Sequence, residues 1–148
     1  MKTLEQVLEA WEIDCQIPRN DLAETSRQTP ALHTKYLSAL SQAKLRMKKA
    51  EMDQKSLLKL KWLYYNGKMS EDEIKHWGWE FDPFNGLKVM KGEMEYYYNS
   101  DKEIQQSELK IEYLKTTIST LSDIVDALKW RHQTIGNMIK WKVFEAGG

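Results

Sequence analysis

Residues 29–67 read TPALHTKYLSALSQAKLRMKKAEMDQKSLLKLKWLYYNG. Thr29 before Pro30 is a helix-start signature: Thr can cap the first free amides, and Pro at the first helical position gives up an N–H that has no intrahelical partner. Asn66-Gly67 is the matching stop. Between them about 36 residues contain no further Gly or Pro, which predicts a helix roughly 55 Å long at 1.5 Å per residue. On a helical wheel Tyr36, Leu40, Ala43, Met47, Ala50, Leu57, Leu58 and Tyr64 share one broad face. That face needs a partner helix.

The same helix carries Lys44, Lys48, Lys55 and Lys59. Their positions fall in a sector about 60° wide, with Trp62 aligned to it one turn past Lys59. Only Glu51 interrupts the stripe. Like charges in a row repel, and a line of phosphates would relieve the repulsion. An ordinary solvated face is the other reading of the pattern. Lys61 falls about 200° from Lys59 on the wheel, toward the core-facing sector.

The partner is at the other end of the chain. After Ser100 or Asp101, either of which can cap, the apolar positions Ile111, Leu114, Ile118, Leu121, Val125 and Leu128, then His132, Ile135 and Ile139, alternate spacings of 3 and 4. This is a coiled-coil seam. Ile124, Met138, Trp141 and Phe144 lie beside it, giving the helix more apolar surface than one partner covers, which predicts self-association. Gly136 interrupts the helix at about 1 kcal/mol against Ala, which predicts close packing or a bend, and Gly147-Gly148 ends it. The expected fold is all-α, with long antiparallel helices at about 30–66 and 101–145 and an oligomeric assembly.

The remaining stretches attach to this pair. Thr3 and Gln6 have capping-box spacing, and Leu4, Val7, Leu8 and Trp11 share a face, so a short acidic helix is expected to about Asp14. Residues 15–28 read as a connector, with room for a turn or two of helix over Asp21 to Arg27. In the 68–100 region Ser70 with Glu73 can cap a short helix, followed by Trp77, Trp79, Phe81 and Phe84 among turn residues. A compact loop with its own apolar cluster is expected, buried aromatics being commoner there than a stacking platform. The four stretches 1–28, 29–67, 68–100 and 101–148 form a single domain in this reading.

Composition sets the outer limits. The 148 residues carry 22 basic and 22 acidic side chains, yet residues 29–68 hold nine basic against two acidic ones, a basic island between acidic flanks. Seven Gly and three Pro are too few for a turn-rich β-sandwich, and 41% hydrophobic residues argue against disorder. One cysteine, Cys15, cannot form an internal disulfide and is expected to be semi-buried rather than nucleophilic. With no apolar run of membrane-spanning length and no leader pattern, a soluble cytoplasmic protein is expected. No phosphate-binding glycine loop or nucleophile elbow occurs, and His33, His76 and His132 are too scattered for a metal pair, so neither enzyme activity, cofactor nor metal is expected.

Leu58-Lys59-Leu60-Lys61-Trp62-Leu63-Tyr64-Tyr65-Asn66-Gly67 resembles the L-K-A-R-L-D-Y-Y-S-G stretch of the UvsY family, recombination mediators of T-even-like phages. Lys91-Gly92-Glu93-Met94, Ser100-Asp101-Lys102-Glu103-Ile104, Asp126-Ala127-Leu128-Lys129 and Phe144-Glu145-Ala146-Gly147 follow in the family's order. The resemblance spans nearly the whole chain and is weakest in the first 28 residues. It implies a non-enzymatic protein of the host cytoplasm that binds single-stranded DNA and contacts the phage's RecA-like recombinase and its single-stranded DNA-binding protein, helping the first displace the second. It further implies closed homo-oligomers, hexameric or heptameric rings, with the C-terminal region in their assembly.

On this reading Lys59 and Lys61 contact phosphates, Lys44, Lys48 and Lys55 extend the track, Trp62 stacks on a base, and Ile111 to Phe144 assemble the ring. Two departures stand out. The family's Arg is here Lys61, which keeps the charge but not the planar fork. The aromatic loop from Met69 to Lys88 is longer than in the best-known member. A helical scaffold whose lysine stripe pairs with an acidic partner helix is the rival. Against it, the stripe lacks an acidic complement at i+4 and a Trp continues it.

Overall fold

The computed structural model describes residues 2–147, and among these every regular element is helical. In chain order the elements are α1 (Leu4–Asp14), α2 (Leu22–Tyr65), α3 (Glu71–Trp77), α4 (Met94–Ser100), α5 (Lys102–Lys129) and α6 (Arg131–Glu145). They divide into two compact units. One takes the chain up to Leu45 together with the stretch from Leu114 onward, and the other is Arg46–Tyr113. The long helices α2 and α5 each contribute one part to either unit.

In the first unit, α1 is closed by the anticipated capping box: Thr3 Oγ1 accepts from the Gln6 amide and the Gln6 side chain accepts from the Thr3 amide. Its apolar face puts Val7 into a core with Tyr36, Leu40 and Ala43 of α2 and Leu121, Ile124, Val125 and Leu128 of α5. Trp11 meets Tyr36 edge to face at 5.5 Å. Asp14, at the end of α1, accepts from Lys35 Nζ and from the Tyr36 hydroxyl, both at 2.7 Å. Cys15 is exposed rather than semi-buried.

Helix α2 begins eight residues before the predicted start and passes through Pro30. Thr29 does not cap; its hydroxyl donates back to the Thr25 carbonyl at 2.8 Å, as Thr25 does to Asp21 at 2.7 Å. Leu22 and Thr25 are buried, and Leu22 lines a cleft with Met138 and Trp141 of α6. This burial offsets the backbone bond that Pro30 removes and the crowding of its ring.

The final helix is two helices. The chain breaks at Trp130, not at Gly136, whose α-carbon has open space around it. Arg131 supplies the reason. It is buried, and its Nη1 and Nη2 donate to the carbonyls of Asp14 at 3.1 Å and Gln16 at 2.8 Å, at and just past the C-terminal end of α1. A cation there meets unpaired carbonyls and the negative end of the helix dipole. The break shifts the buried register, so Arg131 and Ile135 point inward while His132 is exposed. Of the predicted terminal pair, Gly147 takes a left-handed φ of 78°, and Gly148 lies outside the described residues.

In the second unit α2 ends as predicted, at Gly67 with φ 67°. Lys68 N–H donates to the Leu63 carbonyl at 2.8 Å and Gly67 N–H to Tyr64 at 3.1 Å, the paired closure that a left-handed glycine permits. Ser70 caps α3 through the Glu73 amide, and Gly78 ends it. Tyr64, Met69 and Ile74 form a small core with Leu60, Leu63, Tyr65 and Trp79. The expected apolar cluster is present, but α4 inside the supposed loop is an element beyond the prediction. Contacts of Gln54 with Ser107, and of Lys61 and Tyr65 with Asp101, run in opposite chain directions, so α2 and α5 are antiparallel here.

Candidate nucleic-acid interface

Lys48, Lys55 and Lys59 stand exposed on the second-unit part of α2 because the opposite face, with Ala50 and Tyr64, is buried. Among the described residues none of the three has a carboxylate partner, whereas the neighbouring Lys49 reaches Asp53 at 3.8 Å. Glu51 is half-buried. From Lys48 to Lys59 the row covers about 16 Å of helix. Lys44, exposed and likewise without an ion pair, belongs to the first unit. Trp62 is 42% exposed, and Lys68 Nζ lies 4.5 Å from its ring centre, adding a cation to the end of the row. Lys68 was not among the predicted residues; its place after the left-handed Gly67 turn carries it back over the helix.

Lys61 departs from the prediction that it contacts phosphate. It is 4% exposed, and its Nζ lies 3.0 Å from Asp101 Oδ2 and 3.5 Å from Glu103 Oε1. The same ammonium sits 3.8 Å from the centre of the Trp79 ring, whose Nε1 donates to Glu103. Asp101 is doubly used: Oδ1 accepts the amides of Glu103 and Ile104, capping α5, while Oδ2 accepts the Tyr65 hydroxyl at 2.6 Å. Burial alone would push the Asp101 carboxyl up, but the hydrogen bonds from Tyr65, Ile104 and Lys61 and the lysine charge together hold it below its ordinary value. Burial, then the bond to Asp101, raises the Tyr65 hydroxyl. The position two residues past Lys59 faces inward, as the wheel places it, and there its charge is consumed by the fold.

The predicted oligomerisation seam divides in the same way. Ile111, Leu114, Leu121, Val125, Leu128 and Ile135 are buried within the chain and Ile118 packs against the first unit's core, so these seven hold single-chain units together and are not free for a second copy. The seam pattern specifies that a face is covered, and α1 and α2 cover it. Ile139, Trp141 and Phe144 remain 48%, 64% and 70% exposed, with Trp141 and Phe144 in edge contact at 5.7 Å. The aromatic region is mixed: Trp79 is half-buried, while Trp77, Phe81 and Tyr96 are exposed. Among the described residues no helix is long and apolar enough to cross a membrane.

Residues 10–148 match the sequence profile of the family described as recombination, repair and ssDNA binding protein UvsY. The chain is 26% identical over 144 residues to recombination protein uvsY of Enterobacteria phage T4, covering 97% of this chain and 98% of that protein. A crystal structure of the bacteriophage T4 recombination mediator protein UvsY, lattice type II, superposes with a TM-score of 0.80 at 25% identity over 99% of each chain. In lattice type IV the TM-score is 0.78 at 23% identity, covering 98% of this chain and 99% of that one. The last similarity concerns the fold alone.

Proposed function

The chain belongs to the UvsY family of recombination, repair and single-stranded-DNA-binding proteins, and we propose that it is a recombination mediator that holds single-stranded DNA against the exposed lysines of α2. The observation that carries this reading is the row Lys48, Lys55 and Lys59, exposed and, among the described residues, without carboxylate partners, continued by Trp62 and Lys68. Each ammonium that neutralises a phosphate releases counterions, so binding is electrostatic and nearly indifferent to sequence.

One subunit offers few contacts. Copies that associate through the exposed Ile139, Trp141 and Phe144 into a closed ring repeat the row by symmetry and bind a long strand multivalently. A strand held this way, with its phosphates on protein, is presented to a RecA-like recombinase while the single-stranded DNA-binding protein is displaced. Acidic Glu5, Glu9 and Glu12 on the exposed side of α1 are surfaces for those protein partners.

Fluorescence anisotropy of a labelled single-stranded oligonucleotide against salt tests the DNA contact. The log–log slope is expected near −0.7 per neutralised phosphate and becomes shallower by about that amount in Lys59→Ala at unchanged oligomer mass. Absence of binding at low salt by assembled wild-type protein overturns the reading and leaves a helical scaffold that acts only through protein partners.

A further inference from the structure

The second unit contains a half-open cavity of about 320 Å3 that the lysine row does not use. Its walls are Tyr64 and Tyr65 from the end of α2, Met69, and Phe81 and Phe84 from the long loop, with Lys88 also lining it. Tyr65 and Phe84 lie ring to ring at 5.9 Å, and Phe81 is 59% exposed. The tyrosine hydroxyls are committed elsewhere, Tyr64 to the Glu80 carbonyl at 2.6 Å and Tyr65 to Asp101. The tyrosines therefore present carbon faces to the cavity, not hydroxyl groups. Asn66, also on the wall, donates one amide hydrogen to the Trp62 carbonyl at 2.8 Å and retains its own carbonyl oxygen.

We propose that this cavity receives one unstacked base of the single strand bound along α2. The inference rests on the DNA-binding reading above and adds to it a base subsite built from the loop between α3 and α4. Three observations select a nucleotide. The walls are mainly aromatic and apolar, with Asn66, Asp82 and Lys88 as their polar side chains, which suits a flat ring with polar edges better than a bare phosphate. One cation, Lys88, lines the cavity and has no carboxylate partner among the described residues, and a second, Lys68, follows Gly67 of the wall and lies over Trp62. The row leads there, since Trp62 at its end accepts the Asn66 backbone amide at 3.0 Å and carries Lys68 over its ring. An aromatic body on an anionic chain fits all three.

The local acids do not contradict this. Asp82 is on the cavity wall, but its Oδ1 accepts the Gly86 amide at 2.9 Å and shapes the turn, in which Asp82 and Asn85 both take left-handed φ, while Glu71 pairs with Lys75 on α3. The phosphates stay outside with the lysines, and only the base enters.

The test compares oligothymidylate with an abasic oligomer of equal length, which keeps the phosphates and lacks the bases. Full-length wild type is expected to prefer the thymidylate roughly 5- to 150-fold, the range of one aromatic–base stack. Phe81→Ala is expected to erase that preference while leaving affinity for the abasic strand unchanged, and Phe81→Trp to restore it. Photocrosslinking of a 5-iodouracil oligonucleotide is expected to mark Phe81, Phe84 or Tyr65. If both strands bind wild type equally, or Phe81→Ala weakens both alike, the base subsite is wrong and the phosphate track stands. If neither strand binds, the DNA-binding reading fails together with the subsite.

Discussion

Lys59 and Lys61 are two residues apart and do opposite work, which makes their substitutions diagnostic. Lys59→Ala removes an exposed, unpaired ammonium, so thermal unfolding should be unchanged while DNA binding loses one phosphate contact. Lys61→Met strands the Asp101 charge in a buried site, and breaking such a pair costs about 3–5 kcal/mol, read as a lower melting temperature. Adding Asp101→Asn to Lys61→Met should recover much of the loss, since Asn keeps an oxygen for the α5 amides and removes the unpaired charge. A Lys61→Met protein of wild-type stability would overturn this assignment. The pair also sets an acid limit. The Asp101 carboxyl is held below its ordinary value in the folded state, so the unfolded chain takes up the proton first as pH falls. The contribution is complete above the ordinary carboxylate range and is lost as pH drops through the folded-state value; melting curves of wild type beside Asp101→Asn between about pH 6 and 3 should converge. The inward direction of Lys61 was legible from helical spacing, and Asp101 was legible as a cap. That the two meet was not, because a cap is a local signal whereas a counter-ion 40 residues away requires the packing of α2 on α5.

At the scale of elements, the strongest local signals were followed where nothing distant opposed them. The Thr3 box, the Ser70 cap and the Asn66-Gly67 stop each involve groups within five residues, and each is made. Thr29-Pro30 carried an equally strong start signal and the helix ignores it, because Leu22 and Thr25 have burial to gain eight residues upstream. Pro30→Ala should restore an N–H for the Ser26 carbonyl and remove the ring clash, raising stability by up to about 3 kcal/mol, measured by denaturant or thermal unfolding. No change would mean that the backbone already accommodates the ring without cost. The Trp130 break is the complementary case. Gly136 carried the weak propensity signal, but propensity of about 1 kcal/mol is outweighed by a buried guanidinium that satisfies two carbonyls of another segment. Heptad spacing cannot register an arginine as a core residue, so it placed His132 inward where Arg131 is buried, although Ile135 of the same seam is buried as read.

For the whole molecule the question is which apolar surface is left once each unit has closed its own core. The seam read from spacing was real, yet most of it is satisfied by α1 and α2 of the same chain, since periodicity marks a covered face without naming what covers it. What is left at the end of α6 is Ile139, Trp141, Val143 and Phe144, and two large aromatics side by side in solvent are a costly arrangement for a lone subunit. Trp141→Ser/Phe144→Ser should therefore reduce the mass measured by sedimentation toward one subunit. Helical content should hold, because neither ring belongs to the buried core. Affinity for a long single strand should fall by about 10²- to 10⁴-fold, the range lost when linked sites become separate, whereas a short oligonucleotide that engages one lysine row should bind the variant and the wild-type subunit alike. A variant of unchanged mass would move the assembly surface elsewhere. A monomer that still bound long DNA at full strength would show that a single row is sufficient and that the ring serves the protein partners instead.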